Sequence, residues 1–155
     1  MFYLSQKSKN RLRGVHPHLV AVVNKAIQLT DRDFSVAEGV RSMERQRHLV
    51  AAGKSQTMNS RHITGHAVDL FPYPTNGDID KDGIISIEDW DEYYPQADAM
   101  IAAARELGVP LRWGGNWKVN DVRQWKGSAE ALHKAYKGTF PDGPHWEIPR
   151  GYGYD

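Results

Sequence analysis

Hydrophobic and polar positions divide the chain into short blocks whose period changes from one to the next. Over residues 18–29, apolar side chains recur at Leu19, Val22, Val23, Ala26 and Ile27. That spacing makes one stripe on a helix, and Pro17 suits its first turn. Phe34, Val36 and Glu38 alternate with Ser35 and Ala37, the mark of a strand running into Gly39. Ser42 can cap a helix reaching Ala52, with Glu44 in its first turn and Gly53 as its stop. Residues 59–65 are polar and irregular. Residues 67–71 then read as a strand with apolar side chains on both faces.

Residues 72–82 are rich in turn formers. A further helix is expected over 96–107, with Met100, Ile101, Ala104 and Leu107 inward and Gly108 ending it. Residues 111–113 suggest a short strand before the Gly114-Gly115 turn, 128–136 a short helix, and 145–148 a last strand stopped by Pro149. No repeat and no linker divides the sequence, so residues 1–155 are expected to form one domain. Helices and strands without βαβ alternation predict an α+β fold.

A chain of 155 residues can bury roughly 70% of its unfolded surface without covalent staples. Lys and Arg number 20 against 19 Asp and Glu, which argues against a nucleic-acid partner. With no cysteine, thiolate metal sites and cysteine nucleophiles are excluded. No stretch approaches the ~20 apolar residues of a membrane span. The first residues, Met1-Phe2-Tyr3-Leu4, turn polar at Ser5, so no secretory signal is expected. The expectation is synthesis in the cytosol, with no membrane insertion.

The densest chemistry lies in Ser60-Arg61-His62-Ile63-Thr64-Gly65-His66-Ala67-Val68-Asp69. A catalytic zinc takes three protein ligands from His, Asp or Glu and leaves one position for water. His62 stands at the mouth of a strand and Asp69 lies on it, with Gly65 between them to let the chain turn. A third ligand must come from elsewhere, and Pro141-Asp142-Gly143-Pro144-His145-Trp146-Glu147 offers His145. His62 and His66 have the spacing of helical zinc proteases, but Ile63 stands where the general-base Glu belongs and Gly65 opposes a helix. On spacing alone, Asp142 suits a Pro-Asp-Gly turn as well as a catalytic base. Glu147 suits either a partner orienting His145 or a solvated edge. Trp113, Trp117, Trp125 and Trp146 could shape a groove or fill the core.

A second pattern begins at Asp78. Asp78, Asp80, Asp82, Ile84, Ser86 and Asp89 fall on the ligand positions of a twelve-residue calcium loop, with Gly83 at its sharp turn. The last ligand is normally Glu; Asp89 is shorter. No helix precedes the loop, where Phe71-Pro72-Tyr73-Pro74 stands. The pattern is read as an isolated EF-hand-like Ca2+ site inserted at 78–89.

Ser60-x-His62-x-x-Gly65-x-Ala67-x-Asp69, followed by Asp142-x-x-His145, resembles the zinc peptidases of the D-Ala-D-Ala carboxypeptidase and dipeptidase group. The likeness is strongest to the L-alanyl-D-glutamate peptidases that serve as phage endolysins. It extends over nearly the whole chain, including Gly39-Val40-Arg41-Ser42 and Leu111-Arg112-Trp113-Gly114-Gly115-Asn116-Trp117. The resemblance implies helices packed on a small antiparallel sheet, the D-Ala-D-Ala-peptidase or hedgehog type of fold. It implies a catalytic Zn2+ on His62, Asp69 and His145, with Asp142 as general base. Arg41 would supply positive charge to the oxyanion or clamp a substrate carboxylate. His66 occupies a variable position from which it could compete for the metal.

The implied activity is hydrolysis of the L-Ala–D-Glu bond in peptidoglycan stem peptides during host lysis. Calcium is expected to promote the active form, and the protein to act as a monomer. It would stay in the host cytoplasm until the membrane is permeabilised and then reach the periplasmic wall. The rival activities are D-Ala-D-Ala carboxypeptidase and a metal-binding module without catalysis.

Overall fold

A computed structural model describes residues 1–55, 57–73, 86 and 88–154. Among the described residues, five helices pack on a four-stranded antiparallel sheet, as the α+β expectation requires. In chain order the elements are α1 (Gln6–Arg11), α2 (Pro17–Leu29), β1 (Phe34–Glu38), α3 (Met43–Ala51), β2 (Ala67–Pro72), α4 (Trp90–Leu107), β3 (Arg112–Trp113), α5 (Ala129–Lys134) and β4 (His145–Glu147), with a 3₁₀ turn at Val122–Gln124 before α5. The sheet order is β1-β2-β4-β3. No helix among the described residues is long and apolar enough to cross a membrane.

The core lies on one face of the sheet. The predicted stripe of α2, Leu19, Val22, Val23, Ala26 and Ile27, is buried against α4. Val68 and Leu70 of β2 add to the same cluster. Alternation then turns Ala67, Asp69 and Phe71 to the opposite face. Trp113 and Trp146 stack at 5.3 Å between ring centres and are fully buried, so these two indoles are core.

Four features depart from the sequence reading. The helix expected from residue 96 begins at Trp90 and runs through Pro95. Asp91 and Glu92 favour its positive N-terminal end, and burial of Tyr93, Gln96 and Ala97 anchors the turns around the proline. Helix α1 was not anticipated because its sequence is polar. Ser5 caps it by accepting from Ser8 N–H at 3.1 Å, and its side chains serve β1. Ser8 Oγ accepts from Val36 N–H at 3.0 Å, and Arg11 Nη1 donates to Val36 C=O at 2.9 Å. The 3₁₀ turn likewise carried no periodic signal. Finally, β1 does not alternate to its end. A bulge between Val36 and Glu38 sets Glu38 opposite Asp69, moving its carboxylate away from the face that buries Phe34 and Val36.

Candidate metal centre and cleft

Register builds the site. Asp69 on β2 pairs with Glu38 on β1 and with His145 on β4, so three polar residues form one row across the sheet. Glu147 and Arg112 sit opposite each other in the next row. His62 arrives from the loop before β2. Its C=O accepts from Arg41 N–H at 2.9 Å, and the turn closes through His66 N–H to Arg61 C=O at 2.9 Å. Gly65 makes that turn at φ +78°, where an added Cβ would lie 2.5 Å from Gly14 C=O. Only glycine meets both demands.

His62, Asp69 and His145 each offer one ligand atom, all within 4.8 Å of one another. Asp69 Oδ1 lies 3.1 Å from His62 Nε2 and 3.4 Å from His145 Nδ1. The outer nitrogens are tied down. His62 Nδ1 faces Gly39 C=O at 2.8 Å, and His145 Nε2 faces Glu147 Oε1 at 2.9 Å. Carbonyl and carboxylate only accept, so each outer nitrogen carries a proton, and with a metal bound each inner one would present its lone pair to the centre. Glu147 therefore takes the orienting role, not that of a solvated edge.

Charge agrees with that geometry. Burial disfavours charge on Asp69, yet His62 and His145 hold its carboxyl well below the usual range. Burial also opposes protonation of His145, but hydrogen bonds to Asp69 and Glu147 push it up to about 10. The centre thus stabilises positive charge. Two imidazoles and one carboxylate suit zinc, whereas calcium and magnesium favour oxygen ligands throughout.

Asp142 lines the same cleft, whose volume is about 870 Å³. Its backbone is clamped to the β3 end, with Asp142 N–H donating to Gly114 C=O at 2.7 Å. A Cβ on Gly114 would fall 2.2 Å from Asp142 C=O, so residue 114 must be glycine for the loop to approach. Burial raises the Asp142 carboxyl above its ordinary value. The Asp69 charge adds to this, while His145, His62 and Arg41 oppose it.

Arg41 is buried beside the trio. Nε and Nη2 grip both oxygens of Glu38 at 2.8 and 2.9 Å, and Nη1 donates to Gln46 Oε1 at 2.8 Å. Nη2 also lies 3.5 Å from Asp69 Oδ2. The fork expected to hold a substrate carboxylate is therefore held by Glu38. That role of Glu38 was missed because it depends on the bulge.

His66 stands apart from the trio. Its Nδ1 lies 2.7 Å from Thr64 Oγ1 and its Nε2 2.6 Å from Tyr154 C=O, so neither nitrogen faces the metal ligands. His133 packs flat on Trp90 at 3.6 Å and takes Tyr94 Oη at 2.7 Å, away from the cleft lining. Trp117 lies in the cleft, 5.1 Å from the His145 ring. Of the calcium pattern, Asp78, Asp80, Asp82 and Ile84 lie outside the described residues. Ser86 and Asp89 are described: Asp89 Oδ2 accepts from Ser86 N–H at 2.7 Å, and Asp89 directly precedes α4.

The sheet carries a His-Asp-His trio with anchored rings that could hold a metal ion, and it opens on a cleft beside a carboxylate. Residues 1–148 match the family model for phage L-alanyl-D-glutamate peptidase, and the chain belongs to that family. The L-alanyl-D-glutamate peptidase of Escherichia phage T5 is 31% identical over 95% of this chain and 98% of its own length. That of Listeria phage A118 is 29% identical over 77% of this chain and 32% of the relative. Among solved structures, the Serratia marcescens L-Ala D-Glu endopeptidase ChiX superposes with a TM-score of 0.68 at 43% identity, covering 92% of this chain and 86% of that one.

Proposed function

We propose that this protein is a zinc-dependent peptidoglycan endopeptidase that hydrolyses the L-Ala–D-Glu bond of cell-wall stem peptides. The observation that carries the reading is the convergence of His62 Nε2, Asp69 Oδ1 and His145 Nδ1, with both outer ring nitrogens anchored. The names of its relatives supply the bond. Zinc on these three ligands would polarise the scissile carbonyl and make a water acidic enough to attack near neutral pH.

Asp142 is the base. Its carboxylate accepts the proton of the attacking water and delivers it to the departing amine of D-Glu, and its raised pKa suits a group that must both take and return a proton. Arg41, fixed by Glu38 and Gln46, lends positive charge to the developing oxyanion. Glu147 and Gly39 C=O orient the two imidazoles.

In a phage context the enzyme acts as an endolysin. It works as a monomeric catalytic domain held in the host cytoplasm until the membrane is permeabilised, then reaches the periplasmic wall. The acidic spacing at 78–89 supports a Ca2+ site that promotes the active form. Equal activity with calcium and with a calcium-selective chelator would remove that part of the reading.

The deciding experiment is mass spectrometry of purified peptidoglycan digested by the zinc-loaded protein. New amino-terminal glutamate on the released peptides is expected. Loss of terminal D-Ala alone would reassign the enzyme as a D-Ala-D-Ala carboxypeptidase. No cleavage would leave a metal-binding module.

A further inference from the structure

The cleft has two unlike walls. Beside His145 it is aromatic: Trp117 Nε1 donates to Phe140 C=O at 2.8 Å, and the Arg112 guanidinium lies 5.0 Å from the Trp117 ring centre. Arg112 is committed there, with Nε and Nη2 on Trp117 C=O at 2.8 and 2.6 Å. On the side of the loop leading to His62 the wall is cationic, with Lys54 and Arg150 lining the cleft. Arg150 reaches that loop by donating from Nη2 to Asn59 C=O at 3.2 Å.

These two cations differ from Arg41, Arg45 and Arg112. Arg41 and Arg45 both pair with Glu38, and Arg112 lies 3.8 Å from Glu147. Neither Lys54 nor Arg150 has a carboxylate partner among the described residues. Three of the cleft's carboxylates are engaged, Glu38 by two arginines and Asp69 and Glu147 by the trio's histidines, and the fourth, Asp142, is the proposed base. Two cations that line the cavity with no paired carboxylate among the described residues suit a ligand that brings its own anion.

We propose that Lys54 and Arg150 form a carboxylate-binding subsite that reads the acidic side of the scissile bond. The inference rests on the peptidase reading and deepens it. In a stem peptide D-Glu continues through its γ-carboxyl, leaving a free α-carboxylate on the carbon that bears the scissile nitrogen. The third residue carries a further carboxylate when it is diaminopimelate. Either anion sets the D-Glu side of the peptide toward the His62 loop and the alanyl side toward Trp117 and Phe140. With Arg41 already closed on Glu38, recognition falls to this wall.

The test compares three N-acetylated peptides: L-Ala–γ-D-Glu–L-Lys, its D-isoglutamine counterpart, and the counterpart with diaminopimelate in third place. Cleavage is followed by mass spectrometry for the wild type and for Lys54→Gln with Arg150→Gln. Amidation of D-Glu is expected to lower kcat/KM by roughly ten- to hundredfold, mainly through KM. The double variant should lose most of that discrimination while its circular dichroism is unchanged. Discrimination confined to the third residue would support the subsite and make diaminopimelate the anion read. Equal cleavage of all three by the wild type, or undiminished discrimination in the variant, would overturn the subsite and leave the peptidase intact. Cleavage of none would overturn the peptidase reading itself.

Discussion

Two groups of histidines lie in this molecule, and only one of them has the geometry that could hold a metal. His62 and His145 meet around Asp69, with ring centres 5.0 Å apart. His16, His18 and His66 gather around Tyr154 with spacings as close, 5.1 Å and 5.6 Å from His16 to the other two. The difference lies in where the lone pairs go. In the first group an acceptor fixes each outer nitrogen and a carboxylate fills the middle. In the second, His66 spends both nitrogens on Thr64 and Tyr154, His18 Nδ1 meets Tyr154 Oη at 2.9 Å, and His16 Nδ1 accepts from His18 N–H at 3.1 Å. Proximity of imidazoles does not make a metal site; anchoring of their far nitrogens does.

The sharpest way to break this contrast is to remove one histidine from each group. His145→Ala should lose bound zinc and bring hydrolysis to background. His66→Ala should leave both within about a factor of two. Elemental analysis and the peptidoglycan digest measure them together, and zinc loss from His66→Ala would merge the two groups.

Next in size is Asp142→Asn, which keeps the three proposed ligands and removes the proposed base. A fall in kcat of about 10²–10⁴-fold with zinc retained is expected. Parallel loss of zinc would instead make Asp142 part of the metal site. Glu147→Gln tests the anchoring. The amide can still accept from His145 but carries no charge, so zinc affinity should drop by roughly ten- to hundredfold. Competition with a chromophoric chelator reads that change.

The smallest effect distinguishes the groups by pH. Burial, with the nearby His18 and His66, lowers the pKa of His16, so the fold favours its neutral form. Below about pH 6.5 the unfolded chain binds the extra proton, and stability should decline as pH falls through that range. His145 has the opposite sign in the metal-free protein. Its contribution is full below about pH 6.5 and fades as pH rises toward about 10. Comparing urea midpoints of the metal-free protein between pH 5.5 and 7.5, His16→Gln should gain stability relative to wild type toward the acid end. An unchanged difference between the two proteins across that range would remove His16 from the pH dependence.

How far this could be read from the chain follows the same local-against-distant division. Helix α2, strand β2 and the turn at Gly65 depend on neighbours in sequence, and their signals were plain. His62 and Asp69 could be paired because one short turn joins them. His145 needed a motif, since its place opposite Asp69 depends on strand pairing across more than seventy residues. Glu38 was hidden by the bulge, since strict alternation assigns it to the side of Val36. The cationic wall was equally hidden, because Lys54 and Arg150 share a cleft only after the chain has closed. Polar α1 leaves no periodic trace, as its purpose is to serve another element's backbone.

That service has a consequence for how the protein behaves at high concentration. A sheet of four strands has two borders where another chain could add a strand. At one, Ser8 and Arg11 occupy the N–H and C=O that Val36 would otherwise present; at the other, β3 is only two residues long. Self-association by strand addition is therefore blocked at the first border by two side chains and at the second by brevity. Replacing Ser8 and Arg11 together would leave the metal ligands in place and open a template for aggregation, so solubility is governed far from the residues that carry the chemistry.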